Sequence, residues 1–132
     1  MPRLVKGAKW TFGWVLVGPG GEIAIPPEAW REYGFRAGGE AVFTAGSGKS
    51  GGFGISTPAL IAEAGAKMGG VGLRELGRSR FGAGRVVVPP EVDVEPGDRL
   101  LAVRGSRYGL GCVARGPIYE EALRHPELEE FA

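Results

Sequence analysis

The sequence is poor in the residues from which active sites are usually built. It holds one cysteine, Cys112, and one histidine, His125. A lone cysteine closes no intramolecular disulfide, and between Gly111 and Val113 in an apolar run it reads as a small buried core residue. A catalytic thiol needs an imidazole beside it, and the single histidine falls in an acidic tail, where it reads as solvated, next to a proline that ends the last helix. No His/Cys/carboxylate spacing suits a metal, no nucleophile has a base at hand, and no carboxylates pair in a strand-end setting. The expectation is a protein that is not an enzyme and carries no metal and no cofactor.

Long hydrophobic runs are missing as well. The first ten residues, MPRLVKGAKW, contain no apolar stretch of signal-peptide length, and no segment approaches the roughly 20 apolar residues of a membrane span. A cytoplasmic protein with no membrane partner is expected. Charge of one sign is also lacking: 16 Lys and Arg against 15 Asp and Glu give a formal net charge of +1.

What is abundant is glycine, with 25 residues, joined by 10 prolines in a chain of 132 that is 43% hydrophobic. Apolar runs punctuated in this way indicate tight turns between short strands, hence a mostly β fold in one compact domain. The letters GSGKS at 46–50 suggest a phosphate-binding loop, but that pattern needs a glycine five positions before Gly48, where Phe43 stands, and a helix afterwards. Here GGFGIST follows, which reads as a strand, so 46–52 reads as the tip of a hairpin.

The chain repeats itself. GEIAIPPE at 21–28 returns as GRVVVPPE at 84–91, FRAGGEAVFTAGS at 35–47 as VEPGDRLLAVRGS at 94–106, and GGFGISTPALIAEA at 51–64 as YGLGCVARGPIYEEA at 108–122. Residues 1–66 and 67–132 are therefore two copies of one unit. Each unit reads as a leading strand, a short strand ended by proline, a helix started by the second proline, a Gly turn, a strand hairpin and a Pro-started closing helix. The first-unit helix, PEAWREYGF, turns Ala29, Trp30 and Tyr33 inward and stops at Gly34. In the second unit PEVDV is about four residues shorter, and the helix shrinks to a turn. GAKMGGVG at 65–72 reads as a loose linker.

In this form the sequence resembles the AbrB, SpoVT and MazE swapped-hairpin family of DNA-binding domains. The residues that carry the resemblance are GRVVVPPE with VEPGDRLLAV in the second half and GEIAIPPEAWREYGFRAGGEAV in the first. The resemblance implies a mostly β, swapped-hairpin barrel in which two tandem units form a pseudo-dimer, and it implies a DNA-binding transcriptional regulator as the function. It also implies arginine contacts to phosphates and bases, which fall on Arg78, Arg80 and Arg85 in the second half and on Arg31 in the first-half helix. Counted from the proline strand, the first-half counterparts of Arg78 and Arg85 are Val15 and Glu22, so only one side keeps the basic set. Lys6 and Lys9, with Arg3, add basic charge at the start.

Several alternatives stay open. Arg78, Arg80 and Arg85 also suit exposed strand charge that discourages edge pairing, and a barrel without DNA binding, serving as an interaction or small-ligand module, is the second functional reading. Trp10, Trp14 and Trp30 read as core before they read as base-stacking platforms. The basic hairpin tips, with Lys49 and Arg107, suit an acidic ligand or plain polar turns. Self-association through the closing helices or the hairpin tips is a further partner expectation.

Overall fold

The computed structural model describes residues 10–46, 51–67 and 74–132. Lys6, Lys9, Lys49 and most of the linker lie outside the described residues. The first half runs β1 (Thr11–Leu16), β2 (Glu22–Ala24), α1 (Pro27–Glu32), β3 (Glu40–Ala45), β4 (Phe53–Ser56) and α2 (Pro58–Lys67). The second runs β5 (Glu75–Arg80), β6 (Arg85–Val87), β7 (Arg99–Ser106), β8 (Gly109–Val113), α3 (Pro117–Ala122) and a short tail strand, β9 (Glu130–Phe131).

Local sequence explains most of these boundaries. β2 and β6 stop at three residues because Pro26 and Pro89 follow closely and cannot donate to a ladder. Pro27 begins α1, and Gly34, at φ +67°, ends its run in a conformation that disfavours a Cβ. The stretch from 89 to 92 is a turn closed by the Val92 amide on the Pro89 carbonyl, as the shortened repeat requires.

Seven strands form one mixed sheet in the order β5-β3-β4-β8-β7-β1-β9, and β2 pairs with β6 in a separate ribbon. The leading strand of each half pairs with the hairpin of the other: β1 runs antiparallel to β7, and β5 to β3. The two registers repeat. Thr11 faces Val103 and Gly13 faces Ala102, with Phe12 skipped; Glu75 faces Thr44 and Gly77 faces Phe43, with Leu76 skipped. The ribbon is centred on Ile23 opposite Val86, flanked by Glu22 opposite Val87 and Ala24 opposite Arg85.

The expected closed barrel does not form among the described residues. The sheet ends at β5 on one side and β9 on the other. The ribbon touches both flanks, through the Gly18 amide on the Glu22 carbonyl at 2.8 Å and the Phe81 to Val86 bridge, but three-residue strands are too short to extend these contacts into ladders.

Both faces of the sheet are used. On one, Phe43, Phe53, Ile55, Leu100, Ala102 and Leu110 pack with Ile23 and Val86 of the ribbon and Ala29 of α1 in the main core. On the other, Trp14, Leu101 and Val103 are covered by Ala122 of α3 and by Leu128. The tail was not legible as a strand, yet the Trp14 amide donates to the Glu129 carbonyl at 2.8 Å, and Trp14 and Val15 pair in parallel with Glu130 and Phe131. Gly13 makes room for it, since a Cβ there would lie 2.4 Å from the Glu129 carbonyl oxygen.

Candidate nucleic-acid interface

Register decides which arginines are equivalent to what. In the repeated hairpins Glu40, Ala41 and Val42 stand where Arg99, Leu100 and Leu101 stand. Trp14 faces Leu101 and Arg78 faces Val42; Leu16 faces Arg99 and Arg80 faces Glu40. The first-half counterpart of Arg78 is therefore Trp14, not Val15, and that of Arg80 is Leu16. Counting from the proline strand misses this because the turn GPGG at 18–21 is one residue longer than GAG at 82–84.

The two equivalent places differ in kind. Trp14 is buried, its ring edge-on to Tyr119 at 5.1 Å between centroids and capped by the Arg99 guanidinium 4.0 Å from its centre. Arg78 is half-exposed and held by two acids: Nε and Nη2 donate to Glu75 at 2.7 and 2.9 Å, and Nη1 donates to Glu40 at 2.9 Å. These bonds, Glu75 before Glu40, raise the pKa of Arg78, and the Arg78 hydrogen bond lowers that of Glu75. A guanidinium so occupied has few donors left for a phosphate.

Arg80 and Arg85 are brought together. Both line a shallow groove of about 370 Å³ beside the ribbon, with Phe81, Val86, the exposed Val87 and a single acid, Glu22. Arg80 donates to the Gly38 carbonyl at 3.0 Å and Arg85 to the Ala132 carbonyl at 3.2 Å. Arg31 is exposed on α1 but lines a different cleft, of about 430 Å³, among Glu28, Glu127 and Glu129. Three arginines of the second hairpin are paired across elements: Arg99 to Glu130 at 3.3 Å, Arg104 to Glu32 at 2.6 Å and Arg107 to Glu63 at 3.3 Å. Among the described residues the surface is accordingly mixed, and the Arg80 and Arg85 groove sets two arginines against one acid. Trp30 packs on Phe35 and Phe81, whereas Trp10, read as core, is 38% exposed.

His125 is not simply solvated. Its Nδ1 lies 2.7 Å from Glu127 and its Nε2 lies 3.2 Å from Glu121. Bonding to Glu127, then Glu121, raises its pKa, and that of Glu127 is lowered by its own backbone amide and then by His125. A raised histidine value adds stability that is whole below about pH 6.5 and is lost as pH rises through the folded value; a lowered glutamate value adds stability that is lost as pH falls through its folded value. The tail that carries β9 is thus held best in the mildly acidic window between them. We expect a higher melting temperature at pH 6 than at pH 9, with His125→Asn narrowing the gap; an unchanged gap in the variant would refute the assignment.

Among the described residues no three His, Cys, Asp or Glu side chains cluster to hold a metal ion, and no helix is long and apolar enough to cross a membrane. Burial pushes the Cys112 thiol up to about 12, so it stays protonated at neutral pH. Compared with protein-family models, with curated proteins and with solved structures, the chain matches none.

Proposed function

We propose that the chain is a single-chain pseudo-dimer of two AbrB-like swapped-hairpin units and that it acts as a DNA-binding transcriptional regulator through a one-sided face. The observation that carries this is the repeated register: each leading strand pairs with the opposite hairpin, with the same residue skipped in both, and the ribbon pairs the two proline strands about Ile23 and Val86. The contacts are assigned to Arg80 and Arg85, which share a groove, with Arg31 at the periphery and Arg78 reassigned to a surface ion-pair network. Arginine suits this role because its fork reaches two phosphate oxygens or the edge of a guanine at once.

Replacing Arg80 and Arg85 together with alanine is expected to weaken duplex binding at least tenfold and to flatten the dependence of log K on log salt by about 1.8, or 0.9 per lost phosphate contact. Arg78→Ala is expected to leave binding within twofold. Fluorescence anisotropy at low salt measures both. If the unaltered chain binds no duplex, the second reading takes over, a barrel-derived interaction or small-ligand module. The pairing of Arg78, Arg99, Arg104 and Arg107 with carboxylates favours that reading.

A further inference from the structure

The ribbon of β2 and β6 has two faces. Ile23 and Val86 point into the main core, while Glu22 and Ala24 on β2 and Arg85 and Val87 on β6 alternate to the outside. Register sets Glu22 beside Val87 at one end and Ala24 beside Arg85 at the other. In the repeat GEIA at 21–24 answers to GRVV at 84–87, so Glu22 holds the place of Arg85 and Ala24 that of Val87. With Leu16 in the place of Arg80, the first half presents neither arginine of the groove.

Two side chains of this outer face stand out. Of the large hydrophobic residues described, Trp10, Val87 and Leu123 are the exposed ones, and Val87, at 50%, lines the groove with Arg80 and Arg85. The Ser79 hydroxyl donates to the Val87 carbonyl at 2.7 Å, which fixes the end of β6 against β5 and with it the direction of the valine. An apolar side chain left uncovered beside two cations matches the one apolar mark that a major groove offers, the thymine methyl group. Glu22 is the other. Its carboxylate lies over the first-half turn at Gly18 and Gly20, where a Cβ on Gly20 would come within 2.7 Å of its Oε2. The first-half turn is therefore negative where the second-half turn is flanked by arginines.

We propose that Val87 reads the methyl group of a thymine in the major groove while Arg80 and Arg85 hold adjoining phosphates. Glu22 denies the first half the same hold, so the chain recognises a non-palindromic duplex site in one orientation. This recognition rests on the DNA-binding reading and adds to it a base and an asymmetry. A major groove about 12 Å wide admits a two-stranded ribbon, whose strands lie about 4.8 Å apart. Phosphate contacts set position and base-edge contacts set sequence. Arg80 and Arg85 each commit Nη1 to a backbone carbonyl, of Gly38 and Ala132, which leaves Nη2 of each for a phosphate. Two identical chains about a dyad present the same groups to both half-sites and select an inverted repeat. A carboxylate related to an arginine by the pseudo-axis does not.

The test begins by recovering duplexes from a random-sequence pool by repeated binding to the full chain at low salt. A non-palindromic consensus with a fixed thymine is expected. Anisotropy then compares that duplex with one carrying deoxyuridine at the thymine, which removes the methyl group alone. The unaltered chain is expected to bind the deoxyuridine duplex about fourfold more weakly, the worth of one buried methyl. Val87→Ala, at an exposed position that the core does not use, is expected to bind the two alike. Glu22→Arg is expected to tighten binding and to steepen the dependence of log K on log salt by about 0.9, one added phosphate contact. A palindromic consensus, one without a fixed thymine, equal binding of both duplexes by the unaltered chain, an undiminished thymine preference in Val87→Ala or an unchanged salt slope in Glu22→Arg would each overturn the inference and leave DNA binding standing. Absence of binding to any duplex would overturn both.

Discussion

Phe43→Ala is expected to lower the free energy of unfolding by about 3–5 kcal/mol, the range for emptying a buried phenylalanine site. Phe43 is 0% exposed in the middle of β3, the strand that carries the second half's leading strand on one edge and its own hairpin partner on the other. Its ring lies 5.7 Å from that of Phe53, tilted by 45°. Truncation removes the ring from the main core at the point where both halves meet, and the β ladder on either side limits collapse into the void. Since a domain of this size is stable by roughly 5–15 kcal/mol, the variant should be largely unfolded at modest urea concentrations. Equilibrium urea denaturation followed by tryptophan fluorescence measures it; a loss under about 1.5 kcal/mol would mean that the core repacks around the gap.

Gly52→Ala is expected to be comparably damaging, at about 3 kcal/mol or more, for a different reason. Gly52 sits at φ +67°, where a Cβ is disfavoured, and a Cβ there would come within 1.9 Å of the Cys112 carbonyl oxygen. The obstruction is backbone, so no side chain can turn aside. Either Gly52 changes conformation, which disturbs the start of β4, or β8 withdraws and the β4 to β8 ladder that joins the two hairpins is lost. Thermal melting of the variant beside the parent checks this, and a melting temperature within 2 °C of the parent would show that the hairpin tip absorbs the methyl group.

Repetition makes much of the fold readable in the sequence. The proline-ended strands, the α1 boundaries, the missing second helix, both hairpins and the closing helices follow from local rules: proline removes a donor, glycine admits positive φ, and alternation marks a half-buried strand. What local rules do not contain is pairing over distance. β9 has two residues and no pattern of its own; it exists because Gly13 leaves room and the Trp14 amide needs an acceptor. The open sheet has the same origin, since closure depended on how far three-residue strands could reach.

The candidate site was legible in part. Arg80 and Arg85 line one groove, and their joint role as DNA contacts is the proposal made above. Arg78 was expected with them, and only the pairing of β5 with β3 places Glu40 beside it. Its first-half counterpart was misassigned because a one-residue difference in turn length shifts every position before the turn, and in a strand a shift of one exchanges the two faces.

The ribbon at Ile23 and Val86 has a consequence for how the molecule behaves in solution. Where two separate chains exchange strands, the folded state vanishes on dilution, because its formation is bimolecular. Here β1 with β7, β5 with β3 and β2 with β6 pair within one chain, so under the proposed pseudo-dimer unfolding midpoints should be independent of protein concentration. Separate chains of one sequence must also be complementary to themselves, each substitution appearing on both sides of the axis. A continuous chain is released from that requirement, which is how a tryptophan sealed under a helix and an arginine exposed to solvent come to occupy the same place in two copies of one unit.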